Sequence, residues 1–409
     1  MLYRLNNAGY EAYLVGGGVR DLLLGREPKD FDVATNASPE EIRDLFRNSR
    51  MIGRRFRLVH VRFGGEIIEV STFRALQGED DDQHADRHLD DSGRILRDNV
   101  FGSLVEDAFR RDFTVNALYY NVADFSVVDH VNGMPDLRDG LLRLIGDPET
   151  RFREDPVRML RAIRFAAKLG FRIEEKTAAV IPQLAPLLAD IPPARLFEEV
   201  LKLFLGGYAV QTFEELLRYD CFRHLFPLTE EALAHEENAF PLTFVAKALE
   251  NTDKRIAEDR PVTPFFLFAV LLWEPVRRRA EVLEQQGTGP VEAIRIAADE
   301  VCGDQLDIVA LPRRFSTPMR ELWQLQPRFE NRTGKRALRL LGHPRFRAAY
   351  DFMVLRAETG EADPGLAEHW TKLQEAEAGE QHTLLTQPAP ARSRRGGRGR
   401  HRKGSGDGE

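Results

Sequence analysis

Apolar positions change their rhythm along this chain. Tyr13-Leu14-Val15 is a short apolar run, read as a strand, that leads into Gly16-Gly17-Gly18. Val19 to Leu24 then reads as one short helix stopped by Gly25. Val59, Val61 and Phe63 alternate with polar residues, Gly64-Gly65 supplies a two-residue hairpin turn, and a second strand spans Ile67 to Phe73. From Gln77 to Asn99 the chain is polar, rich in Asp and His and without period, which predicts a mobile surface loop. From Asp155 onward the pattern is helical. Asp155-Pro156 reads as a helix start, with Asp as N-cap and Pro in the first turn. Pro192-Pro193 opens another helix, carrying Leu196, Phe197, Val200, Leu201 and Phe204, and residues 230–375 continue as helices separated by Pro and Gly. The run from Phe265 to Trp273 is the longest apolar stretch; a bilayer span takes about twenty residues, so this one predicts a buried core helix. Beyond Gln387, Pro, Gly, Arg and Ser dominate and predict disorder. No internal repeat is present. The predicted class is α+β: a small α/β head over 1–146, a helical neck and body over 147–232, an arginine-bearing helical region over 233–375 and a disordered basic tail over 376–409.

Composition changes this picture in one respect. The 409 residues include 58 Lys and Arg against 65 Asp and Glu, a net charge of −7, which excludes a protein basic all over. That total hides a segregation. Residues 1–391 hold 51 basic and 63 acidic side chains, whereas 392–409 carry a net +5 through Arg392, Arg394, Arg395, Arg398, Arg400, Arg402 and Lys403. Two cysteines, Cys221 and Cys302, are too few for a disulfide framework and fit a reducing compartment. No basic stretch followed by an apolar run opens the chain, so no secretory signal is read and the cytoplasm is the expected location. None of the histidines sits in a zinc-like Cys/His pattern, and no structural metal is expected.

The chemistry concentrates in the head. A glycine loop between a strand and a helix lets backbone N–H groups approach phosphates, although three glycines alone are more often a tight turn. Asp30 and Asp32 are two apart, so on a strand both carboxylates would share one face while Phe31 and Val33 pack on the other. Two adjacent carboxylates repel, and a divalent cation relieves them; oxygen ligands of this kind suit Mg²⁺. Alone, Asp-x-Asp is usually a solvated strand edge. Downstream of a glycine loop, metal is favoured.

Gly16-Gly17-x-Val19-Arg20-Asp21 followed by Asp30-x-Asp32 resembles the head of the class II nucleotidyltransferases of the DNA polymerase beta superfamily, which comprise CCA-adding enzymes and bacterial poly(A) polymerases. Further matches follow in order, at Arg110-Arg111-Asp112-Phe113-Thr114-Val115-Asn116 and at Arg151-Phe152-Arg153-Glu154-Asp155-Pro156-Val157-Arg158-Met159-Leu160-Arg161. The resemblance implies that Asp30 and Asp32 hold two Mg²⁺ ions and that an RNA 3′-hydroxyl attacks the α-phosphorus of a nucleotide in line. It implies nucleotide contacts at Gly17, Gly18, Arg20 and Arg111, with Arg110 also meeting phosphates. Asp112 is a third catalytic position, assisting at the metal or accepting from the ribose. Glu69 is an alternative third carboxylate, with an exposed strand residue as the equal alternative. Glu154, Asp155, Arg158 and Arg161 match the segment that reads the incoming base, since carboxylate and guanidinium can mimic a pairing partner. Arg158, Arg161, Arg164 and Lys168 form one helical stripe, the last two left open between solvated face and ligand contact.

Gly53-Arg54-Arg55-Phe56-Arg57-Leu58-Val59-His60 is similar to the signature of bacterial poly(A) polymerases, as are Ile191 to Glu199 and Gly334 to Asp351. That resemblance implies ATP as substrate, 3′ ends of mRNA and small RNAs as acceptors, RNA-decay and RNA-chaperone proteins as partners, and a monomer. The tail and Arg313, Arg314, Arg320, Arg328, Arg336, Arg339, Arg345 and Arg347 would bind RNA; for the helical arginines, solubilisation is the alternative. The chain starts closer to its first strand than relatives do, and its tail is shorter than theirs. The alternative activity is CCA addition to tRNA; no His-Asp dipeptide marks an appended phosphohydrolase module. A catalytically silent RNA-binding adaptor is the remaining alternative, which has no need of Asp30 and Asp32.

Overall fold

The computed structural model describes all residues except 54–56, 77–86, 90–94, 99, 235–241, 378–379, 382–384 and 386–409; for 87–89 and 95–98 it describes the backbone. Arg54-Arg55-Phe56 of the signature and the basic tail from Arg392 to Lys403 therefore lie outside the described residues.

The head begins with α1 (Leu2–Asn7), β1 (Ala12–Val15) and α2 (Gly17–Leu23), the expected strand, glycine turn and helix. β2 (Asp32–Thr35) and α3 (Pro39–Leu45) follow, then β3 (Ser49–Ile52) and the hairpin of β4 (Leu58–Phe63) and β5 (Glu66–Thr72) around Gly64-Gly65. Within the predicted loop, β6 (Arg87–Leu89) and β7 (Ile95–Asp98) form an antiparallel ribbon. That segment is thus not wholly irregular; its pairing has no apolar alternation to announce it. α4 (Leu104–Arg110), β8 (Leu118–Asn121), β9 (Val127–Asp129) and α5 (Gly133–Asp139) complete the head. Ser38 with Glu41 and Ser103 with Glu106 form capping boxes that start α3 and α4.

A single sheet runs in the order β3-β4-β5-β2-β1-β8-β9, antiparallel except between β2 and β5. One face packs Val33, Val59, Val61 and Val70 against Leu5, Ile42 and Phe46 of the N-terminal helices and the turn after α3. The other face packs Val15, Ala34, Phe73 and Tyr119 against Ala108 of α4. Phe31 lies just before β2 and is 42% exposed, so it does not pack beside Val33 as the alternation predicts.

Helices follow: α6 (Pro148–Glu154), α7 (Val157–Leu169), α8 (Glu175–Leu184), α9 (Pro193–Phe204) and α10 (Ala209–Arg218). Asp155 is not the N-cap of α7. It closes α6 with extended backbone, as a residue before proline favours, and Pro156 flanks α7. The apolar run at 265–273 is buried as expected but spans two helices, Pro264–Leu271 and Trp273–Gln285. One continuous core extends from Val19 in the head through α7 and α9 to Trp370 and Leu385. Among the described residues, no helix is long and apolar enough to cross a membrane.

Candidate active site

The site forms where β1, β2 and the glycine turn converge. β1 pairs with β2 so that Val15 lies opposite Asp32, and the chain then turns at Gly16, whose φ of +78° suits glycine. A Cβ at Gly16 would lie 3.7 Å from Arg111 Nη1 and 3.9 Å from Asp32 Oδ2. Gly16 and Gly17 line a cleft of about 430 Å³ together with Asp30, Asp32, Asp112, Arg20, Arg111 and Arg161. Gly18 is buried beneath, where a Cβ would come within 3.2 Å of the Asp30 carbonyl.

Asp32 and Asp30 are not neighbours on one strand. Asp30 precedes β2 in an exposed loop, and the residue beside Asp32 across the parallel pairing is Glu69 of β5. Partial burial, then Glu69, then Asp30 push the Asp32 carboxyl up to about 6, with Arg111 opposing. Such a cluster of negative charge is what a hard cation relieves. Among the described residues no three Asp, Glu, His or Cys side chains form a ready-made metal cage. Two carboxylates with room for water and phosphate oxygens still fit Mg²⁺, which keeps such ligands in its shell.

Asp112 is fully engaged. Its Oδ2 accepts from Arg161 Nε and Nη2 at 2.8 and 2.5 Å, and its Oδ1 accepts from the Phe113 N–H and from Asn116 Nδ2. Burial alone would raise this carboxyl; Arg161 and these hydrogen bonds outweigh it and hold it at about 2. Asp112 therefore orients Arg161. Arg20 is 1% exposed and donates to Asp21 and, at 2.5 Å, to Asn116. Arg111 pairs with Asp107 and donates to the Tyr119 hydroxyl, whereas Arg110 turns away to the Ala75 carbonyl at 2.7 Å.

Of the α7 stripe, Lys168 lines the cleft and pairs with Asp21 at 3.2 Å. Arg164 also lines it, stacked 4.4 Å from the Phe165 ring centre, with its buried Nε lacking a hydrogen-bond partner. Burial, with Arg161 adding to it, lowers Arg164 to about 10. An anion would relieve it. Glu154, Asp155 and Arg158 are elsewhere: Arg158 donates to Glu154 at 2.8 Å, and Asp155 accepts from Arg195 at 2.8 Å. None of the three lines the cleft. Sequence reasoning missed Lys202, Tyr208 and Thr212, brought in from α9, α10 and their connection, because no local motif marks them. It also missed Arg151 as a brace, which donates to the carbonyls of Arg110 and Arg111 at 2.7 and 2.9 Å.

Three family descriptions match the chain: the poly A polymerase head domain over residues 12–143, the probable RNA and SrmB-binding site of polymerase A over 170–233, and the polymerase A arginine-rich C-terminus over 286–404. Poly(A) polymerase I of Salmonella typhi is 51% identical over 401 residues, covering 96% of this chain and 86% of that protein. Poly(A) polymerase I of Escherichia coli O157:H7 is 55% identical over 359 residues, covering 88% and 77%. Among solved structures, the Bacillus stearothermophilus CCA-adding enzyme in complex with CTP superposes with a TM-score of 0.56 at 27% identity, covering 95% of this chain and 87% of that one.

Proposed function

The chain belongs to the bacterial poly(A) polymerase family, and from that premise we infer how its cleft adds AMP from ATP to RNA 3′ ends, without a template and with release of pyrophosphate. One observation carries the assignment of the site: half-buried Asp32, beside Glu69 and Asp30, opens onto a cleft that also holds the unpartnered Nε of Arg164. Held by Asp30 and Asp32, two Mg²⁺ ions would activate the attacking 3′-hydroxyl and neutralise the triphosphate. The protein's own share is positioning and charge. Arg111, Arg161 and Arg164 face the triphosphate, Arg161 being fixed for that task by Asp112. Gly16 and Gly17 let the phosphates approach the backbone closely. Reading of the base by Asp155 and Arg158 requires exchange of their present partners, Arg195 and Glu154, for the edge of adenine.

The reading extends to location and partners. The enzyme acts as a monomer in the cytoplasm on mRNA and small RNAs, with RNA-decay and RNA-chaperone proteins as partners. The tail from Arg392 to Lys403 neutralises RNA phosphates without reading bases.

The test is product analysis with purified protein, Mg²⁺, each NTP separately, and either an unstructured RNA or a tRNA lacking its 3′ end. Expected are long ladders with ATP alone on the unstructured RNA. Addition that stops after C, C and A on the tRNA would replace this reading with CCA addition.

A further inference from the structure

The strand register extends the site beyond the nucleotide cleft. Asp32 on β2 lies opposite Glu69 on β5, Glu69 opposite His60 on β4, and His60 opposite Arg50 on β3. Residues opposite one another share a sheet face, and Arg62, two beyond His60, joins them. The reverse face carries Val59, Val61 and Val70 and is buried. Here the sheet is open: Arg50 and Arg62 are exposed, and the side chains of His60 and Glu69 are 34% and 42% exposed. A row thus runs from the reacting centre to the edge strand, from carboxylates at one end to guanidinium groups at the other.

The edge is built for an anion. A cavity of about 430 Å³ adjoins it, lined by Arg47, Asn48, Arg50, His60 and Arg62 and by no acidic residue. Among the described residues, Arg47, Arg50 and Arg62 enter no ion pair, whereas Arg320, Arg345 and Arg347 of the C-terminal helices each face a carboxylate. Ile67, opposite Arg62, is 54% exposed, giving apolar surface against which a base can lie. Geometry selects the occupant. In-line transfer places the attacking and leaving oxygens on opposite sides of phosphorus. With the nucleotide on the Gly16 and Arg161 side of Asp32, the Glu69 side remains for the acceptor.

We propose that this face, through Arg50 and Arg62, binds the RNA backbone immediately upstream of the reacting 3′ end. The proposal rests on the transfer reaction assigned above. Three strand spacings of about 4.8 Å put Arg50 about 14 Å from Asp32. At a stacked rise of about 3.4 Å per nucleotide, that is roughly four nucleotides from the terminus. A dinucleotide acceptor falls short of Arg50; an octanucleotide reaches it.

The experiment compares full-length wild type with the double variant Arg50→Ala/Arg62→Ala, using ATP, Mg²⁺ and either a dinucleotide or an octanucleotide acceptor. Expected is a several-fold rise in KM for the octanucleotide, with kcat, KM for ATP and dinucleotide extension unchanged. The slope of log affinity against log salt for the octanucleotide falls by roughly 1.4, since each single-strand phosphate contact contributes about 0.7. The charge-keeping Arg50→Lys/Arg62→Lys variant recovers most of the loss. An unchanged octanucleotide KM and salt slope overturns the proposal, as does an equal loss on the dinucleotide. Loss of binding to anionic phosphatidylglycerol vesicles, with RNA binding intact, overturns it in favour of a lipid surface. Wild type that transfers no AMP to either acceptor overturns the underlying reaction instead.

Discussion

Asp32 sits half-buried between Glu69 and Asp30, with Arg111 the offsetting charge, and its carboxyl is pushed up to about 6 from an ordinary 3.8. A carboxyl raised in the fold binds more protons there than in the unfolded chain, so stability falls as pH rises from about 4 through 6. Replacement by the neutral isostere removes that cost. Metal-free Asp32→Asn is therefore expected to melt above wild type at pH 7, with the gap closing toward pH 4, as calorimetry in chelator would show. An Asn variant that melts below wild type throughout would contradict this electrostatic assignment. Mg²⁺ should close the same gap at pH 7 by stabilising wild type, and should be needed at higher concentration below pH 6, where it competes with the proton. Both carboxylates were legible in the sequence. Their arrangement was not, because β2 starts at Asp32 and leaves Asp30 in the preceding loop.

α7 joins the head to the helices behind it through paired polar groups. Arg161 holds Asp112, Lys168 holds Asp21, and Arg26 donates to the carbonyls of Lys168 and Leu169. Asp112→Ala would leave Arg161 without its carboxylate and should cost about 1–3 kcal/mol in urea unfolding. It should also raise KM for ATP more than KM for RNA. Equal effects on both KM values would mean that Asp112 does not act through the nucleotide side. β1, the Gly64-Gly65 hairpin and α9 were readable because their signals are local: a run, a turn pair, a period of 3.6 residues. Asp155 was not. Its carboxylate is taken by Arg195, forty positions later, a tertiary contact that overrides its preference for capping. The stripe on α7 was visible as spacing, but its division was not: Arg158 turns to Glu154 while Arg161, Arg164 and Lys168 line the cleft.

Across the whole molecule, a net charge of −7 coexists with binding of polyanions because the charge is distributed locally. In the arginine-bearing helices the structure separates two groups. Arg320, Arg345 and Arg347 are neutralised by Asp299, Glu321 and Asp351, whereas Arg328, Arg336 and Arg339 share a cavity lined by no acidic residue. Composition counts these residues alike; only packing distinguishes them. The head and the helical body followed from motif order, as did the meeting of Asp30 and Asp32 in one cleft, while the open sheet face emerged only from strand register. The adenylyl transfer proposed at Asp32 joins the cleft, the row of charges and the reaction. It is tested most directly by extending one unstructured RNA with ATP and Mg²⁺ using wild type and Asp32→Asn, alongside RNA binding by both. Expected are long ladders from wild type and none from the variant, with RNA affinity alike; tailing by Asp32→Asn at the wild-type rate would contradict it.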